Sequence, residues 1–375
     1  MILYRIVGGF LLTNVTRLMR CTAVTAAVAA LTAGCHDSSA PRVPELPYIV
    51  TTELLRPLPF RDVGDAYAVR DDSVLVGSSY GGAGRQAVWW TPGQPPRAMF
   101  ATAVSDTVTT NTWATGVNSA GVVVGYITLY SGYGPTLPVR WNANGTIDTL
   151  LTLDPRGGWA NAVNDLGEIV GCSYFPLGEF SPVVWMPTGE IQRLDSTASM
   201  GCAYGISSNG TYIVGQLNGH AFRLKLGERL RDLGTLGGSY IDNSLAWGVN
   251  KFGEVVGQSS DSTGALRAFT WYEPGIMRAL PNLPSGFNSV AYAVNDSGQV
   301  VGWSDNYYGE RATTWYHGNL IDLATVGAPN DQAVGLYSQA RAVSPFGLIA
   351  GFQAHNTDSL CNGGICAALW RVKLR

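Results

Sequence analysis

Apolar and polar positions alternate along most of the chain, and the same alternation returns about every 45 residues. A stretch reading "ANAVNDLGEIVG" at 160–171 is almost repeated as "AYAVNDSGQVVG" at 291–302. Alternation of this kind is typical of β-strands, whereas the Asn-Asp-Ser-Gly segment between the two runs is typical of a turn whose glycine takes a left-handed conformation. Each stretch therefore predicts a β-hairpin.

Further copies of the hairpin begin at Ala66, Ala114, Ala203, Ala246 and Ala340, so the chain has seven. The closing glycines of successive copies are 42 to 49 residues apart. Each hairpin is followed by a third apolar run, such as "PVVW" or "AFTW", and then by a fourth, such as "EIQRLDS". Four strands in a period of this length are the sequence signature of a β-propeller blade.

The two ends of the repeat array predict how the fold closes. The last copy contains only three strands, while an unassigned strand, "YIVTTELLRPL" from Tyr48, precedes the first copy. Pairing this strand with the C-terminal blade, near Leu369 to Leu374, would remove exposed sheet edges. We therefore expect an all-β chain, a seven-bladed β-propeller of four-stranded blades. Its first strands, with alanine or glycine at two positions in every copy, are expected to be innermost, where blades converge.

The chain accordingly divides into an export signal (1–34), a tether (35–47) and the propeller (48–375). The repeats span about 66–113, 114–159, 160–202, 203–245, 246–290, 291–339 and 340–375, with 48–65 completing the last blade.

The composition is that of a turn-rich β protein with an acidic balance. Of the 375 residues, 46 are glycine and 14% are charged, against about 25% charged in an ordinary soluble domain. The first 34 residues hold three arginines and no acid, so the remainder carries 21 basic and 27 acidic groups. Because binding to phosphates requires a basic field, we expect no nucleic-acid partner.

The N-terminus is typical of an export signal, which does not belong to the fold. Arg17 and Arg20 precede an uncharged stretch, "CTAVTAAVAALTAGC", that ends in small residues and Cys35. "LTAGC" resembles the lipobox of bacterial lipoproteins, which implies lipidation of Cys35, although Thr32 departs from the commonest pattern. Cleavage by an ordinary signal peptidase, and translation from Met19 instead of Met1, remain open. We expect an exported protein, held on the periplasmic or cell-surface side of a membrane by its lipid anchor alone, or otherwise secreted.

The other cysteines are even in number, as expected in an oxidising compartment. Cys361 and Cys366 bracket one short loop, while Cys172 and Cys202 lie on the same face of neighbouring blades, so we predict two disulfides. None of the four has a second ligand pair at zinc spacing. We expect no metal and no cofactor.

Several stretches have the wording of a known repeat. These are "GVNKFGEVVGQS" followed by "AFTW", "HAF" at 220–222 and "DLGTLGG" at 232–238. In these features the chain, over residues 66–375, resembles the HAF extracellular repeat of bacterial secreted proteins. Several copies lack the literal HAF triplet or the DLGTLGG string. The resemblance implies a secreted, propeller-like array and brings no established catalytic residues.

Aromatic residues that depart from the repeat mark a candidate binding face. Six of the eleven tryptophans occupy the repeated third-strand position, which predicts that they are core residues. Of the other tryptophans, Trp113 and Trp159 stand just before an innermost strand and Trp303 follows a second strand, all toward one face. The candidate binding residues on that face are Trp113, Trp159, Trp303, Tyr126, Tyr174, Tyr240 and Tyr307. Tryptophan and tyrosine offer large, rigid contact areas. Whether Trp113 and Trp159 form a ligand platform or fill the gap between blades stays open.

The sequence predicts a non-catalytic binding module, a monomer whose partner is a carbohydrate or a protein at the cell surface. The alternatives are a polysaccharide hydrolase or lyase with carboxylates at the channel mouth, and a structural scaffold. Ser79 lies in "GSSYG", which fits a nucleophile elbow but lacks the helix that the motif requires, so no catalytic residue is assigned. Asp165 and Asp296 are expected to cap their own hairpin turns. An aromatic rim favours binding, whereas clustered carboxylates and basic groups favour an enzyme.

Overall fold

The computed structural model describes residues 48–82, 84–99, 110–129, 134–176, 179–195, 200–237, 242–324, 337–354, 361 and 364–374. All of the described strands lie in the second of two compact units, Pro47–Arg375. The predictions for the export signal and the tether, with Cys35, lie outside the described residues. The described part contains no helix, and hence none of the length and hydropathy that crossing a membrane requires.

The described strands are numbered in chain order. The first ten are β1 (Tyr48–Leu55), β2 (Val63–Val69), β3 (Leu75–Gly81), β4 (Gly84–Trp90), β5 (Arg97–Ala98), β6 (Thr110–Val117), β7 (Val123–Leu129), β8 (Thr136–Trp141), β9 (Ile147–Thr149) and β10 (Gly158–Val163). The next nine are β11 (Ile169–Tyr174), β12 (Phe180–Trp185), β13 (Ile191–Arg193), β14 (Gly201–Ile206), β15 (Tyr212–Leu217), β16 (His220–Lys225), β17 (Arg231–Asp232), β18 (Ser244–Val249) and β19 (Val255–Ser260). The last nine are β20 (Leu266–Trp271), β21 (Arg278–Ala279), β22 (Ser289–Val294), β23 (Val300–Asn306), β24 (Gly309–Tyr316), β25 (Asn319–Asp322), β26 (Ser338–Val343), β27 (Leu348–Ala354) and β28 (Ile365–Leu374).

Five sheets each contain four strands in chain order, beginning at β6, β10, β14, β18 and β22. Each is an antiparallel meander, and its outermost strand is only two to four residues long. Each sheet corresponds to one copy of the repeat. The predicted all-β fold and its four-stranded sheets are confirmed.

The remaining eight strands form one sheet, ordered β26-β27-β28-β2-β3-β4-β5 with β1 also paired to β28. β1 runs antiparallel to β28, from the pair Tyr48 and Leu374 to the pair Leu55 and Ala367. A single parallel bridge, Val63 with Ile365, joins β2 to β28. The N-terminal strand therefore pairs with the last strand of the chain, but the structure has six sheets instead of seven separate ones, and none of these sheets closes on itself.

A β-bulge interrupts the first hairpin of every copy between the two small residues of the repeat. In the first copy the register shifts between Ala66 and Ala68, so Tyr67 has no partner across the ladder. The other copies have the same shift at the corresponding place. The closing glycine faces the bulge: a Cβ added to Gly77 would overlap the carbonyl oxygen of Asp65. The repeat wording thus encodes a bulged hairpin.

Seven clusters of buried apolar side chains fill the spaces between successive copies. One cluster joins Val124 of β7 to Ala160 and Trp185 of the following copy. Another joins Leu369 of the last copy to Trp90 of the first. Each innermost strand also contacts the innermost strand of the next copy, and β26 contacts β2. The core is therefore divided among the interfaces between copies.

The repeated tryptophans lie in these interfaces, and the prediction that they are core residues is confirmed. Trp90, Trp141, Trp185, Trp271, Trp315 and Trp370 are all buried. The indole N–H of Trp185 donates to the carbonyl of Leu151 at 2.6 Å, and that of Trp315 donates to Pro281 at 2.8 Å. Both carbonyls belong to the segment that enters the copy, so each tryptophan also fixes that connection.

Asparagine side chains in the hairpin turns link one copy to the next. The amide of Asn118 donates to the carbonyl of Asn164 at 3.0 Å, and the amide of Asn295 donates to Ser344 at 3.1 Å. Within its own turn, the Asn118 oxygen accepts the N–H of Val122 at 2.9 Å. The repeated asparagine therefore caps its turn and contacts the neighbouring turn.

The expectation that Asp165 and Asp296 cap their own turns is corrected by these contacts. Asp165 accepts the backbone N–H of Ser119 at 2.9 Å, and Asp296 accepts that of Lys251 at 3.0 Å, in both cases from the preceding copy. Asparagine already fills the capping position, which leaves the aspartate free to reach the preceding copy.

Candidate functional site

The bulges place one side chain from every copy around a cavity of about 400 Å³. These bulge residues are Tyr67, Thr115, Asn161, Tyr204, Trp247, Tyr292 and Arg341. Reasoning from the repeat treats the position as variable and assigns it no role. Its composition was nevertheless a signal, because four of the seven residues are aromatic and one is arginine.

Three of the bulge residues form an aromatic arc, which we define as Tyr204, Trp247 and Tyr292. They come from consecutive copies. The Trp247 ring centroid lies 4.7 Å from that of Tyr204, at an interplanar angle of 54°, and 5.6 Å from that of Tyr292, at 63°. The Trp247 indole N–H donates to Gln258 at 3.2 Å, which fixes the ring. Neighbouring rings are steeply inclined, so no ring of the arc is stacked parallel on the next one.

Arg341 continues this wall of the cavity beyond Tyr292. Its guanidinium carbon lies 4.4 Å from the centre of the Tyr292 ring and 5.6 Å from that of Phe352. The Nε atom is buried without a hydrogen-bond partner. Arg341 forms no ion pair with any residue that the structure describes. A cation held against aromatic rings in this way is stabilised by their quadrupoles but keeps its hydrogen-bonding capacity.

Asp65 lies beside this wall, on the first innermost strand. Its Oδ1 is buried and has no hydrogen-bond partner. Burial raises the pKa of the Asp65 carboxyl, and the positive charges of Arg341 and Arg85 oppose that rise. Burial and the Asp65 charge also raise the pKa of Tyr67. The Asp65 carboxyl therefore interacts electrostatically with the guanidinium groups of both Arg341 and Arg85.

Of the residues that the sequence assigns to binding, Trp113 and Tyr126 lie together near the cavity. Their rings are stacked, with centroids 4.7 Å apart and an interplanar angle of 20°. The guanidinium of Arg85 lies 5.4 Å from the Trp113 ring and 3.9 Å from that of Tyr80. Tyr126 also lines the cavity. One face of Trp113 is thus covered by a tyrosine of its own copy.

Trp159 belongs to a separate aromatic group within its own copy. Its ring packs against Tyr174 at 5.3 Å and against Phe180 at 6.0 Å. Among the described residues, no ring contact joins Trp159 to Trp113. The structure therefore does not bring the two tryptophans into a single platform.

The other candidates are distributed differently. Trp303 is buried, and its indole N–H donates to the Tyr292 hydroxyl at 3.3 Å, so it supports the arc from behind. Tyr307 is 84% exposed in the loop between β23 and β24, where its ring meets that of Tyr308 at 5.2 Å. Tyr240 lies outside the described residues.

The two cysteine pairs are joined as disulfides. Cys172 of β11 bonds to Cys202 of β14, with Cα atoms 4.8 Å apart, and so crosses between neighbouring copies. Cys361 bonds to Cys366, with Cα atoms 5.7 Å apart, within one loop. The amide of Asn161 donates to Cys202 Sγ at 3.2 Å and to the Ala203 carbonyl at 2.9 Å, so this disulfide adjoins the wall of the cavity.

His220 and Ser79, which could suggest chemistry, have structural contacts. The His220 ring meets Asp232 at 2.9 Å and Asp242 at 3.6 Å, so the "HAF" and "DLGTLGG" strings form one polar clamp. Ser79 is buried; its hydroxyl donates to Val63 and accepts the N–H of Leu58. No group of three or more His, Cys, Asp or Glu side chains that could hold a metal is found within the described ranges.

Comparison with known proteins identifies the fold. No family model and no curated protein matches the chain. Among solved structures, it is similar to the β-propeller domain of the trilobed protease from Pyrococcus furiosus, with a TM-score of 0.55 and 8% identity over 84% of this chain and 96% of that domain. The chain has a β-propeller fold.

Two further structures share this propeller architecture. A streptogramin B lyase has a TM-score of 0.54 and 10% identity, over 86% of this chain and 98% of the lyase. A puromycin-hydrolyzing peptidase from Mycobacterium tuberculosis has a TM-score of 0.53 and 13% identity, over 86% of this chain and 55% of the peptidase. At such low identity the similarity concerns the fold alone. Membership of the HAF repeat family stays a prediction.

Proposed function

We propose that this propeller is a binding protein whose ligand occupies the cavity enclosed by the innermost strands. The observation that carries the proposal is the aromatic arc, in which three consecutive copies each contribute one ring to the lining of the same cavity. Aromatic rings with a few fixed polar groups are typical of sites that bind small molecules or segments of a polymer. Thr115 and Asn161 supply polar groups on other copies.

We further propose that seven blades close into a ring, with the eight-stranded sheet made of two blades. Four observations support this arrangement: the contact of β26 with β2, the apolar cluster between the last and first copies, the β1 and β28 pairing, and one turn contact. In that turn contact, the N–H of Phe346 donates to Asp71 at 3.3 Å. It repeats the link that Asp165 and Asp296 make between other copies; Phe346 donates because Pro345 has no N–H.

The proposed partner is a carbohydrate or a protein at the cell surface, and the proposed setting is export with a lipid anchor at Cys35. The sequence of the N-terminal segment supports this setting. If Cys35 is lipidated, Cys35→Ala should move the protein from the membrane to the soluble fraction; an unchanged membrane fraction would argue against the anchor.

The binding site is tested with Trp247→Ala in the full-length protein. We expect loss of binding in a glycan-array and pull-down screen, because the variant removes the centre of the arc; thermal melting is measured alongside, to show that the variant is folded at the assay temperature. The matched control is Tyr272→Ala, which removes an exposed aromatic ring away from the cavity. Ligand binding that survives in Trp247→Ala would exclude the cavity as the site. Shortened products from a bound polysaccharide would show that the protein is an enzyme instead.

A further inference from the structure

Within that proposed function, we infer that the cavity selects a carboxylated sugar, with the sugar ring against Trp247 and its carboxylate paired with Arg341. This inference names the ligand class of the proposed site. It depends on two features of the cavity lining, the partly exposed ring of Trp247 and the guanidinium of Arg341, which forms no ion pair with a described residue.

The Arg341 side chain has unused hydrogen-bonding capacity. Its guanidinium carbon lies 4.4 Å from the centre of the Tyr292 ring, and no hydrogen bond or ion pair from the guanidinium reaches any residue in the described part of the chain. A guanidinium that is partly removed from water is costly unless its N–H groups find acceptors. Its planar fork matches a carboxylate in two parallel hydrogen bonds. A carboxylate is therefore a ligand that satisfies Arg341.

The Trp247 ring offers a surface for the sugar ring inside the cavity. The rings of the arc are inclined by 54° and 63°, so the Trp247 face is not covered by a parallel neighbour. The Trp113 ring differs, because Tyr126 stacks on it at 20°. A saturated sugar ring presents C–H groups on one face and hydroxyls at its edge, which suits a partly exposed indole that lines a cavity beside polar groups. Of the two tryptophans, Trp247 is the one available for such packing.

The charged groups around Arg341 form no ion pair with it. Asp65 attracts Arg341 through space, but the two side chains form no ion pair, and Asp65 is not part of the cavity lining. Arg85 adds a second positive charge behind Tyr67, to which it donates at 3.4 Å. Glu310 is the other carboxylate nearby, and it accepts a hydrogen bond from Gln339. Asp65 therefore does not occupy the N–H groups of Arg341, which stay available to a ligand.

The size of the cavity limits the ligand. About 400 Å³ lies toward the small end of the range of roughly 300–1,000 Å³ that small-molecule sites occupy. One or two sugar rings fit this space, as a free sugar or as the end of a chain. Both sources present the same carboxylated ring, and a comparison of monomer with oligomer separates them.

The test compares sugars that differ only in the carboxylate. Calorimetric titration of the full-length protein uses methyl glucuronide against methyl glucoside, and methyl galacturonide against methyl galactoside. We expect at least one carboxylated sugar to bind about tenfold more tightly than its neutral partner, as one charge-assisted pair provides. Oligomers of that sugar are then compared with the monomer: tighter binding of the oligomer identifies a chain end as the source, and equal binding identifies the free sugar.

Arg341→Gln should reduce the preference to less than about twofold, because it weakens binding of the carboxylated sugar more than binding of the neutral one. The matched control is Arg278→Gln, because Arg278 also lies over an aromatic ring, that of Tyr272 at 5.8 Å, but on the exposed surface. It should retain the full preference. If Arg341→Gln does not fold, Arg341→Lys, which keeps the charge but loses the fork, should lower the preference.

Two results would overturn the inference: equal binding of both sugars by the wild type, or a preference that persists in both Arg341 variants. Its failure is distinct from failure of the binding proposal. If Trp247→Ala abolishes capture of a neutral glycan, the cavity remains the binding site and only the acidic specificity is wrong.

Discussion

At the scale of the residue, the closing glycine of each copy is fixed by a close approach of backbone to backbone. A Cβ added to Gly302 would overlap the carbonyl oxygen of Val290, which lies across the bulge and is held by the sheet. The same overlap occurs at the corresponding glycines of the other copies, such as Gly125 and Gly171. Glycine is therefore required there by space, independently of any left-handed turn.

We predict that Gly302→Ala lowers the free energy of unfolding by about 1 to 3 kcal/mol, because the bulge must shift to admit the methyl group. Denaturant unfolding measures the change. Gly82→Ala is the control: a Cβ at Gly82 meets no atom within 4 Å. The control should change stability by no more than about 0.5 kcal/mol. Equal effects of the two substitutions would contradict the steric explanation.

At the scale of the element, β16 and β17 are joined by more than their short ladder. β17 contains only two residues, and its Asp232 carboxylate accepts from the His220 ring and from the N–H of Gly234 at 2.8 Å. The hydrogen bond to Asp232, together with the charges of Asp232 and Asp242, raises the pKa of His220. This clamp holds the outer edge of its sheet.

The pKa of His220 is raised in the folded state, and this sets the direction in which stability depends on pH. The stabilisation by His220 is fully present below the unfolded pKa, about 6.5, and is lost as the pH rises through the folded pKa. We therefore predict that His220→Gln lowers the melting temperature more at about pH 5.5 than at about pH 8.5. The effect should be modest, since His220 is about a third exposed to solvent. His317→Asn is the control, and a similar pH dependence there would refute the assignment to this clamp.

At the scale of the whole molecule, the first and last strands of the chain are held together by their own core. Val50 of β1 is 3% exposed and packs in the cluster that contains Trp370 and Ile349, whereas Ile49 on the opposite face is 45% exposed. The two residues differ by one position along a strand and therefore in the face that they present. They form a matched pair for testing how far the molecule depends on this contact.

We predict that Val50→Asp destabilises the molecule by about 3 kcal/mol or more, because it buries a charge without a partner. Ile49→Asp should change stability by about 0.5 kcal/mol or less. Thermal unfolding of the two variants gives the comparison. A Val50→Asp protein with the melting temperature of the wild type would show that the β1 pairing contributes little.

The repeated parts of this molecule were predictable from sequence, whereas the site was not. The period gave the hairpins, the four-stranded sheets and the buried tryptophans such as Trp185, because each reflects a constraint that all copies share. Trp247 and Arg341 form a candidate site only because both line one cavity, and that arrangement depends on how copies distant in sequence pack together. Trp303 looked like a surface residue for the same reason: a strand-end position does not reveal that its side chain is buried and donates to Tyr292.

The bulge also bears on how such a protein changes over time. The bulge residue takes no part in the ladder, and its neighbours on each side, not the residue itself, maintain the sheet. Tyrosine, threonine, asparagine, tryptophan and arginine are all accommodated there in one chain. Each copy thus has a bulge position that accommodates side chains of very different size and polarity. Substitutions at the bulge positions, in evolution or by design, could therefore change the chemistry of the cavity one residue at a time while the sheets are maintained.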